Sequence, residues 1–175
     1  SHTVDTARLR THYLERGPAD GPVVVLVHGN VSSSRFYAET MAALPPHVRA
    51  IAPDMRGYGD SEVAPVDATR GVRDFTDDLL ALLDALNIPA AHFVGWSVGG
   101  GVIQQLAITA PGRVLSLTLE ASQSPYGFGG TKDLEGAPCF EDWAGTGGGT
   151  ANPEFVASLA KGDTSADTYT SPRSI

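Results

Sequence analysis

Runs of apolar residues alternate with amphipathic stretches along most of this 175-residue chain. Residues 23–27 are valines and a leucine in unbroken succession. Such a run is typical of a strand that is buried on both faces of a parallel sheet. Further apolar runs predict strands over residues 48–53, 91–95 and 114–119. Residues 8–14 have the pattern of an antiparallel edge strand that precedes them.

Helices are predicted between these strands. In residues 69–87, apolar side chains recur at three- and four-residue steps with charged side chains between them, which is the pattern of an amphipathic helix. A second helix is predicted over residues 32–44, which two prolines end, and a third over residues 98–110, which proline and glycine follow. Alternating strands and helices favour right-handed crossovers. The sequence therefore predicts an α/β fold, with a mostly parallel sheet and helices on both faces.

The remainder of the chain has a different character. Beyond Ser122, glycine is frequent and apolar periodicity is weak, which indicates loops or part of an inserted lid. Residues 162–175 are rich in serine, threonine and aspartate, which is typical of a chain end. We therefore expect a core of sheet and helices over residues 1–125 and a loop-rich region over residues 126–175.

Charge and cysteine content exclude several classes of partner. The formal net charge of −8 disfavours nucleic acid and anionic membranes. No run approaches the roughly 18 apolar residues that a membrane span needs, so we expect a soluble, cytoplasmic protein. Cys139 is the only cysteine, which excludes an internal disulfide and a thiolate zinc cluster. No metal-binding spacing is present, and we expect neither a metal nor a cofactor.

The candidate chemistry begins at residues 95–99, Gly-Trp-Ser-Val-Gly, which match the G-x-S-x-G nucleophile motif. The motif follows a predicted strand and opens a predicted helix. Side chains at Gly95 and Gly99 would collide with neighbouring backbone in so sharp a turn, so the glycines allow a strained serine above the sheet. This context predicts that Ser97 is a nucleophile; the competing interpretation is a serine that caps the helix.

A second element follows the central strand, at His28, Gly29 and Asn30. Its loop should lie beside the serine turn, because ligands bind at the carboxyl ends of the strands in open α/β sheets. The backbone N–H groups of Asn30 and Val98 are therefore predicted to form an oxyanion hole. We interpret His28 as a hydrogen-bonded brace of the turn in preference to a general base.

Three segments together resemble the α/β-hydrolase superfamily in their order and separation: residues 28–30, residues 54–61 (Asp-Met-Arg-Gly-Tyr-Gly-Asp-Ser) and residues 95–100. The resemblance covers about residues 8–125, and the glycine-rich remainder resembles the start of the family's cap. It implies that residues 54–61 are a structural loop, which we expect Asp54 and Arg56 to hold. Residues 28–34 are similar to the same loop of haloalkane dehalogenases, whose nucleophile is aspartate. A serine favours acyl transfer to water instead.

The resemblance also shows what this chain lacks. The family's catalytic histidine follows the cap, whereas every histidine here precedes Ser97: His2, His12, His28, His47 and His92. None fits as the general base, so either the chain is inactive or a further segment supplies that base. Glu120 ends a predicted strand at the place where dehalogenase relatives have the glutamate that orients their histidine. We interpret it as the triad acid; a site-lining or hydrogen-bonded carboxylate and an incidental position are the alternatives.

The resulting hypothesis is a serine hydrolase that cleaves a small carboxylic ester or lactone through an acyl-enzyme on Ser97. Trp96, Tyr126 and Phe128 are candidates for lining the substrate pocket, with ordinary core packing as the alternative. The predicted partner is a companion segment that supplies the histidine and covers the open edge of the sheet. A carbon–carbon bond hydrolase and a catalytically silent binding module are the alternative functions.

Overall fold

The computed structural model describes residues 1–123 continuously and, beyond them, residues 132–133, 135, 137–139, 141, 152–168, 171 and 173. Its contacts divide the chain into two compact units, Ser1–Pro125 and Tyr126–Ile175. The second unit contains one helix among its described residues, Pro153–Ala160. The Asn152 side chain caps this helix by accepting from the N–H groups of Glu154 and Phe155. The interpretation of residues 126–175 as the start of a cap stays a prediction.

The first unit is built on one six-stranded sheet. Its strands in chain order are β1 (His2–Asp5), β2 (Arg10–Arg16), β3 (Val23–Val27), β4 (Arg49–Pro53), β5 (Ala91–Trp96) and β6 (Val114–Glu120). Their order in space is β1-β2-β4-β3-β5-β6. The pairs β4–β3, β3–β5 and β5–β6 are parallel, whereas the pairs β1–β2 and β2–β4 are antiparallel. The mostly parallel sheet is thus confirmed, and so is the antiparallel direction of the strand expected over residues 8–14. The edge position predicted for that strand is wrong, because β1 pairs with its outer side.

Helices cover both faces of this sheet. They are α1 (Ala38–Ala43), α2 (Arg73–Ala85) and α3 (Val98–Thr109), with 3-10 turns at Ser34–Tyr37, Ala68–Arg70 and Pro111–Arg113. Val25 and Val27 of β3 pack with residues of α2 and α3 in one buried cluster. Leu26, which points to the opposite face, packs with Met41 of α1 in another. No helix in the described part of the chain is both long and apolar enough to cross a membrane.

Two predicted helices differ from the observed ones, and one observed strand was not predicted. The helix expected over residues 32–44 is instead a 3-10 turn, which the Ser33 side chain caps, followed directly by α1. The helix expected from residue 69 begins instead at Arg73, after Gly71 with a left-handed φ of 60°. Strand β1 was not predicted, because its side chains are mostly exposed and lack an apolar pattern.

Helix α3 begins in unusually close contact with the sheet. A methyl group on Gly99 would lie 2.1 Å from the carbonyl oxygen of Val27 and 2.5 Å from that of His28. At Gly95, the same addition would lie 2.7 Å from the carbonyl oxygen of Gly99. The predicted reason for these two glycines is confirmed: the strand-to-helix turn closes only without their side chains.

We expect Gly99→Ala to lower the free energy of unfolding by about 3 kcal/mol, because the methyl group meets backbone that cannot rotate away. Gly112→Ala is the matched control, since a methyl group there meets no atom within 4 Å, and it should change stability by less than about 0.5 kcal/mol. Urea denaturation of both variants measures the difference. Equal stability of the two variants would contradict the close contact at α3.

Candidate active site

Ser97 lies at the turn between β5 and α3 in a strained backbone conformation, with φ of 54° and ψ of −118°. Residues other than glycine rarely adopt such positive φ values, and they do so mainly where neighbours fix the backbone. Here the Ser97 N–H donates to the carbonyl oxygen of Glu120 at 3.0 Å. The Ser97 carbonyl accepts from the N–H groups of Gly100 and Gln123, each at 3.0 Å. Strand β6, the segment after it and the first turn of α3 thus hold the serine at the carboxyl edge of the sheet.

The loop after β3 lies directly against this serine turn. A methyl group on Gly29 would lie 3.0 Å from Cβ of Ser97 and 2.8 Å from the indole ring of Trp96. The next residue, Asn30, accepts a hydrogen bond at Oδ1 from the hydroxyl of Tyr58. The loop after β3 and the serine turn are therefore adjacent, as the sequence predicted. The assignment of the Asn30 and Val98 N–H groups to an oxyanion hole stays a prediction.

His28 is fully buried and braces the same loop. Its Nδ1 lies 2.7 Å from the carbonyl oxygen of Gly29, and its Nε2 lies 3.0 Å from the backbone nitrogen of Met55. A carbonyl only accepts and an N–H only donates, so the ring is neutral with its proton on Nδ1. Burial lowers the pKa of His28 and keeps it in this form. The ring acts as the predicted brace, and neither nitrogen is available as a base.

Glu120 is the last residue of β6. In the pairing of β5 with β6 it lies opposite Trp96, the residue that precedes Ser97. Its Oε2 accepts a hydrogen bond of 3.1 Å from the hydroxyl of Tyr37, which is itself fully buried. Burial and the negative charge of Glu120 raise the pKa of Tyr37, so the phenol stays a donor. This contact argues against an incidental position for Glu120. No sequence signal indicated Tyr37, because its partner is distant along the chain.

These features agree with the comparison to known families. A family model described as the alpha/beta hydrolase fold matches residues 22–155. The chain belongs to this family. The match includes the loop after β3, the segment after β4 and the serine turn, which are the segments that carried the resemblance in the sequence.

Individual relatives of this α/β hydrolase are longer than the chain. It is 42% identical over 109 residues to a Variovorax paradoxus protein named "Putative carbamate hydrolase RutD", which covers 62% of this chain and 41% of that protein. It is 32% identical over 111 residues to carboxylesterase YbfK of Bacillus subtilis, covering 63% of this chain and 37% of that protein. A crystallised hydrolase from Pseudomonas aeruginosa superposes with a TM-score of 0.65 at 32% identity, covering 71% and 48% of the two chains. The chain thus spans less than half the length of these relatives.

Aromatic side chains pack beside the serine turn of this α/β hydrolase. The ring of Trp96 stacks on that of Phe36, with centroids 4.3 Å apart and an interplanar angle of 6°. Phe36 is 49% exposed, whereas Trp96 is half-buried and joins the cluster beneath α1. Trp96 thus takes part in core packing, and its role in the pocket stays a prediction. Tyr126 and Phe128 lie outside the described residues.

The segment after β4 supports the active-site loops through buried charge. Asp54 accepts at Oδ1 from the backbone of Ser34 at 2.6 Å, and at Oδ2 from the backbone of Asp60 at 2.9 Å. Arg56 forms a two-point contact of 2.5 and 2.7 Å with the buried Asp78 of α2. Paired, hydrogen-bonded charges of this kind tolerate burial. The predicted structural role of this segment is confirmed.

Two further histidines hydrogen-bond other side chains. His92, near the start of β5, hydrogen-bonds Ser116 at 2.8 Å, and His12 of β2 contacts Asp54 at 2.7 Å. Among the described residues, no histidine ring hydrogen-bonds the hydroxyl of Ser97. The carboxylate of Glu120 and the serine turn are therefore present without an adjacent imidazole from this part of the chain.

The buried state of His28 predicts a pH dependence of stability. Its pKa in the folded protein lies below the unfolded value of about 6.5. The contribution of His28 to the free energy of unfolding is therefore fully present above about pH 6.5, and it is lost as the pH falls through the pKa of the folded state. We expect the free energy of unfolding, measured in urea, to fall between pH 7.5 and pH 5, and to fall less in His28→Gln.

The exposed His47 provides the control for this measurement. His47→Gln should keep the pH dependence of the wild type. His28→Gln should also lose about 1–3 kcal/mol at pH 7.5, since the N–H of Met55 and the carbonyl of Gly29 lose their partner. An unchanged pH slope in His28→Gln would show that His28 does not carry the effect.

Proposed function

We propose that this chain provides the nucleophile part of a serine hydrolase that cleaves carboxylic esters or lactones through an acyl-enzyme on Ser97. The observation that carries the proposal is the strained serine at the turn from β5 into α3, packed against Gly29 of the loop after β3. Such a turn presents the hydroxyl at the sheet edge, with the N–H groups of a helix start beside it. A capping serine does not require this conformation.

The proposed reaction has two steps. The Oγ of Ser97 attacks the substrate carbonyl carbon while its proton passes to a general base, and negative charge develops on the carbonyl oxygen. Backbone N–H groups of Asn30 and Val98 stabilise this oxygen. The carbon–oxygen bond then breaks, and the leaving alcohol takes the proton. Water attacks the acyl-enzyme in the same way, which releases the acid and restores Ser97.

The general base in this proposal comes from a companion segment that also covers the edge of the sheet, in the same molecule or bound noncovalently. Strand β6 is the last strand in the sheet order. Its apolar side chains Leu115 and Leu119 are 60% and 47% exposed, which is unusual for a sheet edge left to solvent. The greater length of the relatives supports such a segment. Glu120, held by Tyr37, is the carboxylate that would orient the incoming imidazole.

The substrate class rests on the nucleophile and on the relatives. A serine favours acyl transfer over the displacement chemistry of aspartate nucleophiles, and one relative is named as a carboxylesterase. We therefore propose a small ester-like molecule as the substrate and no cofactor. The cytoplasm stays the predicted location.

Labelling with a fluorophosphonate tests the nucleophile. In the intact protein, we expect one phosphonyl group on the peptide that contains Ser97, because the oxyanion hole and the base activate this hydroxyl alone. Mass spectrometry of the digested protein locates the label. Ser97→Ala should abolish it, whereas Ser116→Ala on β6 should retain it. An intact protein with unlabelled Ser97 would favour the silent binding module. A separate assay with a panel of esters, lactones and β-diketones distinguishes an esterase from a carbon–carbon bond hydrolase.

The companion segment has its own test. We expect purified protein from its natural source to show a second polypeptide or a mass above 18.3 kDa, the mass of this chain, because β6 requires a neighbour. Intact-mass analysis with size-exclusion chromatography measures both quantities. A soluble monomer of 18.3 kDa alone would contradict the proposed segment.

A further inference from the structure

One group of polar side chains has no part in the proposed hydrolysis. Among the described residues, His12, Asp54 and Asp60 form the group of histidine, cysteine and acidic side chains that brings three possible ligand atoms within 4.8 Å of one another. His12 lies on β2, Asp54 follows β4, and Asp60 belongs to the next loop. Because these segments are separate in sequence, the chain shows no metal-binding spacing.

The hydrogen bonds of Asp54 determine how His12 is presented. Both carboxylate oxygens of Asp54 accept backbone N–H groups, from Ser34 and from Asp60, and Oδ2 also lies 2.7 Å from Nδ1 of His12. A carboxylate in this setting is an acceptor, so the His12 proton resides on Nδ1. The lone pair of a neutral ring is then on Nε2. A carboxylate that orients an imidazole in this way is the usual support of a histidine metal ligand.

The surroundings of His12 Nε2 supply oxygen ligands. The hydroxyl oxygen of Ser1 lies 2.7 Å away, and Oδ2 of Asp60 lies 4.0 Å away. The Asp60 side chain is 70% exposed, so it can rotate. A tetrahedral zinc ion with bonds of about 2.0–2.2 Å separates two of its ligand atoms by about 3.3 Å. Closing the distance between Asp60 and His12 therefore requires only a small side-chain rotation.

We propose that His12 Nε2, the Asp60 carboxylate and the Ser1 hydroxyl bind a divalent metal ion of the zinc class, with water completing the coordination. Nitrogen and oxygen ligands without sulfur suit zinc and its neighbours. Asp54 does not bind the ion; it holds His12. The bound ion would connect the residue before β1 to the loop of residues 54–61, whose Asp54 contacts the loop after β3. Metal binding thus stabilises the support of the candidate active site.

The competing interpretation is a protonated His12 that bridges the two carboxylates without a metal. Isothermal titration of the purified chain with ZnCl₂ at pH 7.5 distinguishes the two, together with ¹⁵N spectra of the histidine rings. For the proposed site we expect saturable one-to-one binding and a shift of the Nε2 signal of His12. Asp60→Asn should weaken the affinity at least about tenfold, since it removes the charged ligand.

The exposed histidines His2 and His47 are also able to bind zinc, so a matched control is needed. Asp20→Asn alters an exposed aspartate in the turn before β3 and should retain wild-type affinity. Ser1→Ala should cause a smaller loss than Asp60→Asn. Absence of saturable binding, or binding that is equally strong in Asp60→Asn, would overturn the proposal. Because Ser97 takes no part in this binding, the result is independent of the proposed hydrolysis.

Discussion

The start of α3 lies so close to the end of β3 that no side chain fits between them. A methyl group on Gly99 would lie 2.1 Å from the Val27 carbonyl oxygen, so the missing Cβ atom sets the separation of helix and sheet. Gly29 also lies close to Ser97, since a methyl group there would lie 3.0 Å from Cβ of this positive-φ serine. The serine turn and the neighbouring loop therefore share one steric constraint, and moving either element displaces the other.

Buried polar side chains then fix loops that have no regular secondary structure of their own. His28 bridges the loop after β3 to Met55, and Asp54 binds the backbone of Ser34. Arg56 joins the next segment to Asp78 of α2. The side chains of His28, Asp54 and Arg56 each have specific partners, so their desolvation is compensated only when the loops adopt one arrangement. This requirement fixes the arrangement of the loops at the edge of the sheet.

The end of β6, beside the serine turn, is exposed to solvent. Glu120 is exposed at the end of β6 and has Tyr37 as its hydrogen-bond donor, while apolar side chains of the same strand face outward. A carboxylate that is held on one side and open on the other is suited to meet an incoming group. The compared members of the family are about one and a half times as long as this chain, which agrees with that geometry.

The sequence by itself determined the mostly parallel sheet, the succession of its main strands and helices along the chain and the serine turn, because apolar periodicity and glycine positions act over a few residues. It also indicated His28 as a brace. Only the tertiary structure decided the partners of the polar groups: Tyr37 for Glu120, and His12 with Asp60 around Asp54. These contacts join residues that are far apart in the chain. Their pairing depends on how the loops pack, which no local pattern encodes.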